Sequence, residues 1–124
     1  MDLGISGKKA IICASSQGLG KACAVVLAQE GVIVYINGRV QEKLEKTAEE
    51  ITASTGATVI PIVADINTEE GRSTLLAACD APDILVSNNS GPPPGKFEDW
   101  SREDWLEGIE ANMLAPIMMI KGVI

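Results

Sequence analysis

The chain has 124 residues, 46% apolar and 22% charged, the size and balance of one globular domain rather than a disordered chain. Histidine is absent and the formal charge is −7. That excludes Ser-His-Asp and Cys-His catalysis, histidine-ligated zinc, and the basic footprint that nucleic acid or an anionic membrane would need.

The predicted elements follow in chain order. Lys8–Cys13 is a short apolar strand that ends in a small-residue loop, Ala14–Gly20. A helix is expected over Lys21–Glu30 and stops at Gly31, a good residue just past a helix end. Val32–Ile36 is β-branched and continuous, as a strand buried on both faces should be, and Asn37-Gly38 is expected to break it. Gln41–Ser54 reads as a helix with Leu44, Ala48 and Ile51 on one face and Glu42–Lys46 as an i,i+4 pair. Thr58–Val63 is a third strand, and Pro61 suits only an edge position. Thr68 to Cys79 reads as a helix capped by Asn67 or Thr68, and Asp83–Val86 as a fourth strand. Asn88–Lys96 is a loop. Ser101 starts a last helix, with Asp104 at the capping-box position, and that helix is expected to run through Pro116 to the chain end.

Strands alternating with helices imply an α/β fold with a parallel sheet covered on both faces. The expectation is one Rossmann-like, doubly wound domain over residues 1–124, in strand order 3-2-1-4. Strand four is apolar and lacks the charges or proline that protect natural edges, so the sheet reads as truncated before a fifth strand.

The acid excess lies in the second half: residues 1–62 carry six basic and six acidic groups, and residues 63–124 carry four and eleven. Asp99, Glu103, Asp104 and Glu107 sit at a helix start, where acids complement the dipole, and are not read as metal ligands. Cys13, Cys23 and Cys79 lie in apolar runs without short paired spacing and read as reduced, buried thiols. With no signal peptide at the start and no apolar run of about 18 residues, the chain is expected to be cytoplasmic and to have no membrane partner.

The loop between the first strand and first helix carries the sharpest functional signal. Ala14, Ser15, Ser16, Gln17, Gly18, Leu19 and Gly20 lie where free N–H groups and a helix dipole make an anion site. Gly18 lets a pyrophosphate approach the backbone. Gly20, helped by Ala22 and Ala24, lets helix pack closely on strand. Dinucleotide folds that take NAD place an acid about 20 residues after this loop. Here Gly38 and Arg39 occupy that point, and a guanidinium suits the 2′-phosphate of NADP(H) rather than NAD(H).

With these residues the chain resembles the short-chain dehydrogenase/reductase family. That family's Thr-Gly-x3-Gly-x-Gly corresponds to Cys13-Ala14-x3-Gly18-x-Gly20. Its adenine-contacting Asp matches Asp65, followed by Ile66. Its Asn-Asn-Ala-Gly segment is paired with Ser87-Asn88-Asn89-Ser90, which replaces the family's first Asn and its Gly. Its catalytic helix asparagine matches Asn112. Pro116 has no N–H to offer the Asn112 carbonyl, which frees that carbonyl to hold the water of the family's proton relay. The resemblance covers the whole chain and is strongest to 3-oxoacyl-acyl-carrier-protein reductases, enzymes of fatty acid biosynthesis.

The resemblance implies an NADP(H)-dependent oxidoreductase that reduces a carbonyl on a small molecule to an alcohol, with this chain supplying the cofactor half. The family's Ser and Tyr-x-x-x-Lys are absent. The single tyrosine, Tyr35, has Arg39 four residues on. The chain alone is therefore expected to be inactive. Association through the last helix into a homo-oligomer is also expected. The alternative is a non-catalytic dinucleotide-binding sensor or regulatory module. A receiver-type signalling domain is disfavoured because the first loop holds no acidic pair.

Overall fold

The computed structural model describes residues Met1–Ile124. Its strands are β1 (Lys9–Ile12), β2 (Ile33–Gly38), β3 (Val59–Val63) and β4 (Ile84–Val86). All pair in parallel, in the order β3-β2-β1-β4. The helices between them are α1 (Gly18–Gln29), α2 (Gln41–Thr55) and α3 (Glu69–Ala78). After β4 come a short 3-10 turn at Phe97–Asp99, α4 (Arg102–Ile109), a π turn at Glu110–Leu114 and α5 (Ala115–Val123).

Side chains alternate across a strand, so β1 feeds two cores. Ala10 and Ile12 face one side, with Val34 and Ile36 of β2, Ala24 and Ala28 of α1, and Leu44 and Ile51 of α2. Ile11 and Cys13 face the other, with Tyr35, Leu75 and Cys79 near α3, and Met119 of α5. Full burial of a Leu or Ile contributes about 1.5–3 kcal/mol, and Ile11, Ile12, Ile36, Leu44 and Ile51 are all at most 1% exposed. The expected doubly wound sheet is the result. Pro61 lies on the edge strand, in register with Ile36.

The ends of the helices follow local chemistry. Gly56, at φ +73°, closes α2 in the left-handed region. Thr68 rather than Asn67 caps α3, accepting the Gly71 N–H at 3.0 Å. Ser101 and Asp104 complete the capping box: Ser101 N–H donates to the Asp104 carboxylate at 2.9 Å, and Asp104 N–H to the Ser101 hydroxyl at 3.2 Å.

Several expectations are corrected. β2 does not break at Asn37-Gly38 but pairs through both, with Asn37 opposite Ile62 and Gly38 opposite Val63. α1 starts at Gly18, three residues before Lys21. Glu42 and Lys46 form no ion pair; α2 instead has Gln41 donating to Glu45 at 2.9 Å, and Lys21 of α1 reaching Glu50 at 2.5 Å. Ala22 is exposed and only Ala24 is buried against the sheet. The last helix runs unbroken through Pro116, from Arg102 to Val123, but contains a π turn at Glu110–Leu114 that was not expected. Pro116 cannot donate to the turn before it, and the backbone widens there so that Ala115 N–H reaches the Glu110 carbonyl, five residues back.

The thiols also divide. Cys13 and Cys79 are buried, but Cys23 is exposed on α1. Burial pushes the Cys13 thiol up to about 11, against a weaker lowering by a backbone hydrogen bond at Asn88. Since the thiolate is the reactive form, burial suppresses the reactivity of Cys13 as well as its access. Alkylation of the folded protein at pH 8 should label Cys23 first, with Cys13 and Cys79 reacting only after denaturant is added; peptide mapping by mass spectrometry checks the order.

Candidate dinucleotide-binding cleft

A cleft of about 270 Å³ opens at the carboxyl ends of the four strands. The loop after β1 contributes Ala14, Ser16, Gln17, Gly18 and Leu19, and the end of β2 contributes Asn37, Gly38 and Arg39. Ala64, Asp65 and Ile66 follow β3, and Asn88, Asn89 and Ser90 follow β4. In strand order 3-2-1-4 successive strands are added outward on one side of β1 and then, with β4, on the other, and open α/β sheets bind ligands at that switch point.

The start of α1 is built to receive an anion. Gln17 at the cap position makes no side-chain capping bond, and the first turn holds no acid. The N–H groups of Gly18, Leu19 and Gly20 have no acceptor within the protein. Free N–H groups at a helix start carry a partial positive charge. Gly18 sits at φ +60° with open space around it.

Two of the expected cofactor residues do not line the cleft. Gly20 is buried, and a β-carbon there would overlap the Ala14 carbonyl. Its role is the close approach of α1 to the loop. Ser15 is fully buried; its hydroxyl donates to the Ile12 carbonyl at 2.7 Å and accepts the Asn37 N–H at 2.9 Å. Ser15 builds the cleft rather than lining it.

Asn37, which sequence reasoning took for a strand breaker, is the organiser of this end of the sheet. It is 1% exposed. Its amide oxygen accepts the Ala14 N–H at 3.2 Å, and its amide nitrogen donates to the carbonyls of Ile62 and Ala64 at 3.2 and 3.1 Å. Its backbone carbonyl accepts the Ser15 N–H at 2.7 Å. One side chain thus joins the ends of β1, β2 and β3. A polar residue inside an otherwise apolar strand, at the end that meets the glycine loop, was the available signal.

Ala14 stands at φ +47°, a region that costs a side-chain-bearing residue roughly 1–2 kcal/mol. This is the physical reason a glycine suits the position.

The loop after β4 reads better one residue on. Asn88-Asn89-Ser90-Gly91 matches the two asparagines and the glycine of Asn-Asn-Ala-Gly, whereas Ser87 is exposed and lines nothing in the cleft. The pairing that began at Ser87 is corrected accordingly. Asn88 donates to the Ala14 carbonyl at 3.0 Å, tying this loop to the first. Asn89 donates to Asn67 at 2.7 Å and to the Ala111 carbonyl at 2.8 Å. Asp65 turns its carboxylate to the Asn67 N–H at 3.0 Å.

Asn112 is not brought to this cleft. It lies in the π turn, exposed, with its amide donating to the Gly108 carbonyl at 3.0 Å. It lines a separate apolar recess with Trp100, Trp105 and Met113.

A parallel doubly wound sheet with a glycine-opened, uncapped helix start at its switch point defines the Rossmann-type α/β class. The family model for short chain dehydrogenases matches residues 8–124, and the chain belongs to that family. It is 36% identical over 122 residues to the uncharacterized oxidoreductase YvaG of Bacillus subtilis, covering 98% of this chain and 46% of that protein. It is 33% identical over 118 residues to glucose 1-dehydrogenase of Gluconobacter oxydans, covering 92% and 44%. The fold is similar to L-sorbose reductase of Gluconobacter frateurii, solved with NADPH and L-sorbose, at a TM-score of 0.92 and 29% identity over 99% of this chain and 48% of that one. The chain spans about half the length of these relatives. No helix is long and apolar enough to cross a membrane.

Two stability outcomes follow from this geometry. Asn37→Ala removes the side-chain partner of the Ala14 N–H and of the Ile62 and Ala64 carbonyls, all of them part-buried, and should lower unfolding free energy in urea by about 1–3 kcal/mol. Ala14→Gly removes the left-handed strain at φ +47° and should raise stability by about 0.5–1 kcal/mol after glycine's greater unfolded-state freedom is subtracted.

Proposed function

We propose that the chain forms the cofactor-binding half of an NADP(H)-dependent reductase that converts a carbonyl to an alcohol. The observation that carries this reading is the pairing of unpaired N–H groups at Gly18 and Leu19 with Arg39 on the rim of the same cleft. The first group suits a pyrophosphate, and the guanidinium suits a 2′-phosphate. The end of β2 offers no carboxylate for a bare ribose hydroxyl: Asn37 is committed to β1 and β3, and Gly38 carries no side chain. The NADPH complex of the similar L-sorbose reductase supports the same choice.

In this reading the α1 start holds the pyrophosphate, with Ala14, Ser16 and Gln17 along its path. Arg39 pairs with the 2′-phosphate beside Gly38. Asp65 and Ile66 bound the adenine side, and Asn88, Asn89 and Ser90 close the side toward the nicotinamide. The nicotinamide supplies or takes the hydride when bound. Asn112 would serve the proton side through its backbone carbonyl, in the π turn that Pro116 imposes. Large apolar side chains on the last helix, among them Ile109, Met113, Ile117 and Ile120, are exposed. They supply the surface for association with a second copy.

Calorimetry with NADPH and NADH tests the cofactor assignment. The protein should prefer NADPH, and Arg39→Ala should remove most of that preference, a loss of about 1.5–3 kcal/mol for a charge-assisted contact. Gly18→Val should abolish binding of both. Equal affinities in the unmutated protein, or normal binding by Gly18→Val, would defeat the reading.

A further inference from the structure

We propose that Lys43 is a second cation of the 2′-phosphate site and sets nucleotide choice together with Arg39; this rests on the NADP(H) reading above. A phosphate monoester carries about −1.5 to −2 charges near neutral pH. One guanidinium leaves a large part of that unbalanced.

Lys43 comes from the first turn of α2, four residues after Arg39. Its ammonium donates to the side-chain oxygen of Gln17, which lines the cleft beside Arg39. The contact is oriented by the helix itself. Thr47, one turn further along α2, donates its hydroxyl to the Ser16 carbonyl at 2.6 Å. Residues four apart share a helix face, so the face that carries Lys43 is clamped to the glycine loop.

The charge at this corner is uncommitted. Lys8, Lys21 and Arg72 pair with carboxylates, whereas neither Arg39 nor Lys43 has one within 4.0 Å. Glu42 lies in the same turn and pairs with neither cation. The Ser16 hydroxyl makes no hydrogen bond, and a β-carbon on Gly38 would lie 3.3 Å from it. Arg39 and the free Ser16 hydroxyl line the cleft beside Gly38, and Lys43 reaches its edge through Gln17. A neutral amide oxygen is a weak partner for an ammonium compared with a phosphate dianion. The flexible four-carbon stem lets Lys43 exchange one for the other. A ribose 2′-hydroxyl gives Lys43 no such reason to move, so its effect is confined to the phosphorylated nucleotide.

The test measures NADPH and NADH affinities of the 124-residue chain and of its Lys43→Ala, Lys43→Arg, Lys46→Ala and Arg39→Ala variants. Lys43→Ala should weaken NADPH about tenfold and leave NADH within about twofold, as expected for one charge-assisted contact to the phosphate. Lys43→Arg should restore most of the affinity. Lys46→Ala, a change of equal charge on the same helix, should leave both nucleotides unaffected. Retained NADPH preference in Lys43→Ala, with the preference lost in Arg39→Ala, removes Lys43 and leaves the Arg39 reading standing. Equal weakening of NADPH and NADH by Lys43→Ala also overturns the proposal. No preference in the unmutated chain overturns both readings together.

Discussion

The carboxyl ends of three strands meet at one buried amide. Parallel strands end at staggered points, and each end must hand its last backbone groups to the loop that follows without water to satisfy them. Asn37 meets that requirement. Its side chain takes an N–H from the loop after β1 and gives two to carbonyls at the end of β3, while its own backbone is held by Ser15. The position of the glycine loop over β2 and the open floor at Gly38 both depend on that network. So does the direction in which the chain leaves toward Arg39.

The two cores on either side of the sheet constrain the same site from below. Ile12 packs with the α1 and α2 layer, and Cys13 with the α3 and α5 layer, so the last residues of β1 are fixed from both faces. The loop that follows turns sharply, through a left-handed alanine, and opens α1 with its N–H groups directed at the cleft. Placement of an anion site here needs no charged side chain. It needs a rigid strand and a helix close enough to it that Gly20 can carry no β-carbon.

Most of the architecture was legible because it rests on local rules. Continuous β-branched runs marked the strands, Pro61 marked the edge, and Ser101 with Asp104 marked a helix start. The glycine loop was legible for the same reason: its spacing is a local backbone requirement. What escaped depended on partners distant in the chain. Asn37 resembles a turn residue until the Ile62 and Ala64 carbonyls are placed beside it. Ser15 resembles a ligand-binding hydroxyl until Ile12 and Asn37 claim it. Cys23 lies in an apolar run, but on the face of α1 turned away from the sheet. The π turn escaped because Pro116 announces a lost hydrogen bond without saying whether the helix bends, breaks or widens.

Asn89 and Arg72 give the molecule a second property. Asn89 bridges the turn after β3 to the Ala111 carbonyl of the π turn. Arg72 of α3, its side chain 12% exposed, donates to the Ile66 carbonyl at 3.0 Å and lies 3.8 Å from Glu110. The turn after β3 and the widened helix turn are therefore strapped together twice. The two segments are expected to open together in hydrogen exchange, because detaching the π turn strips partners from Asn89 and Arg72. Ordering of the Asp65–Asn67 turn by a bound molecule is then also protection of the helix that carries Asn112.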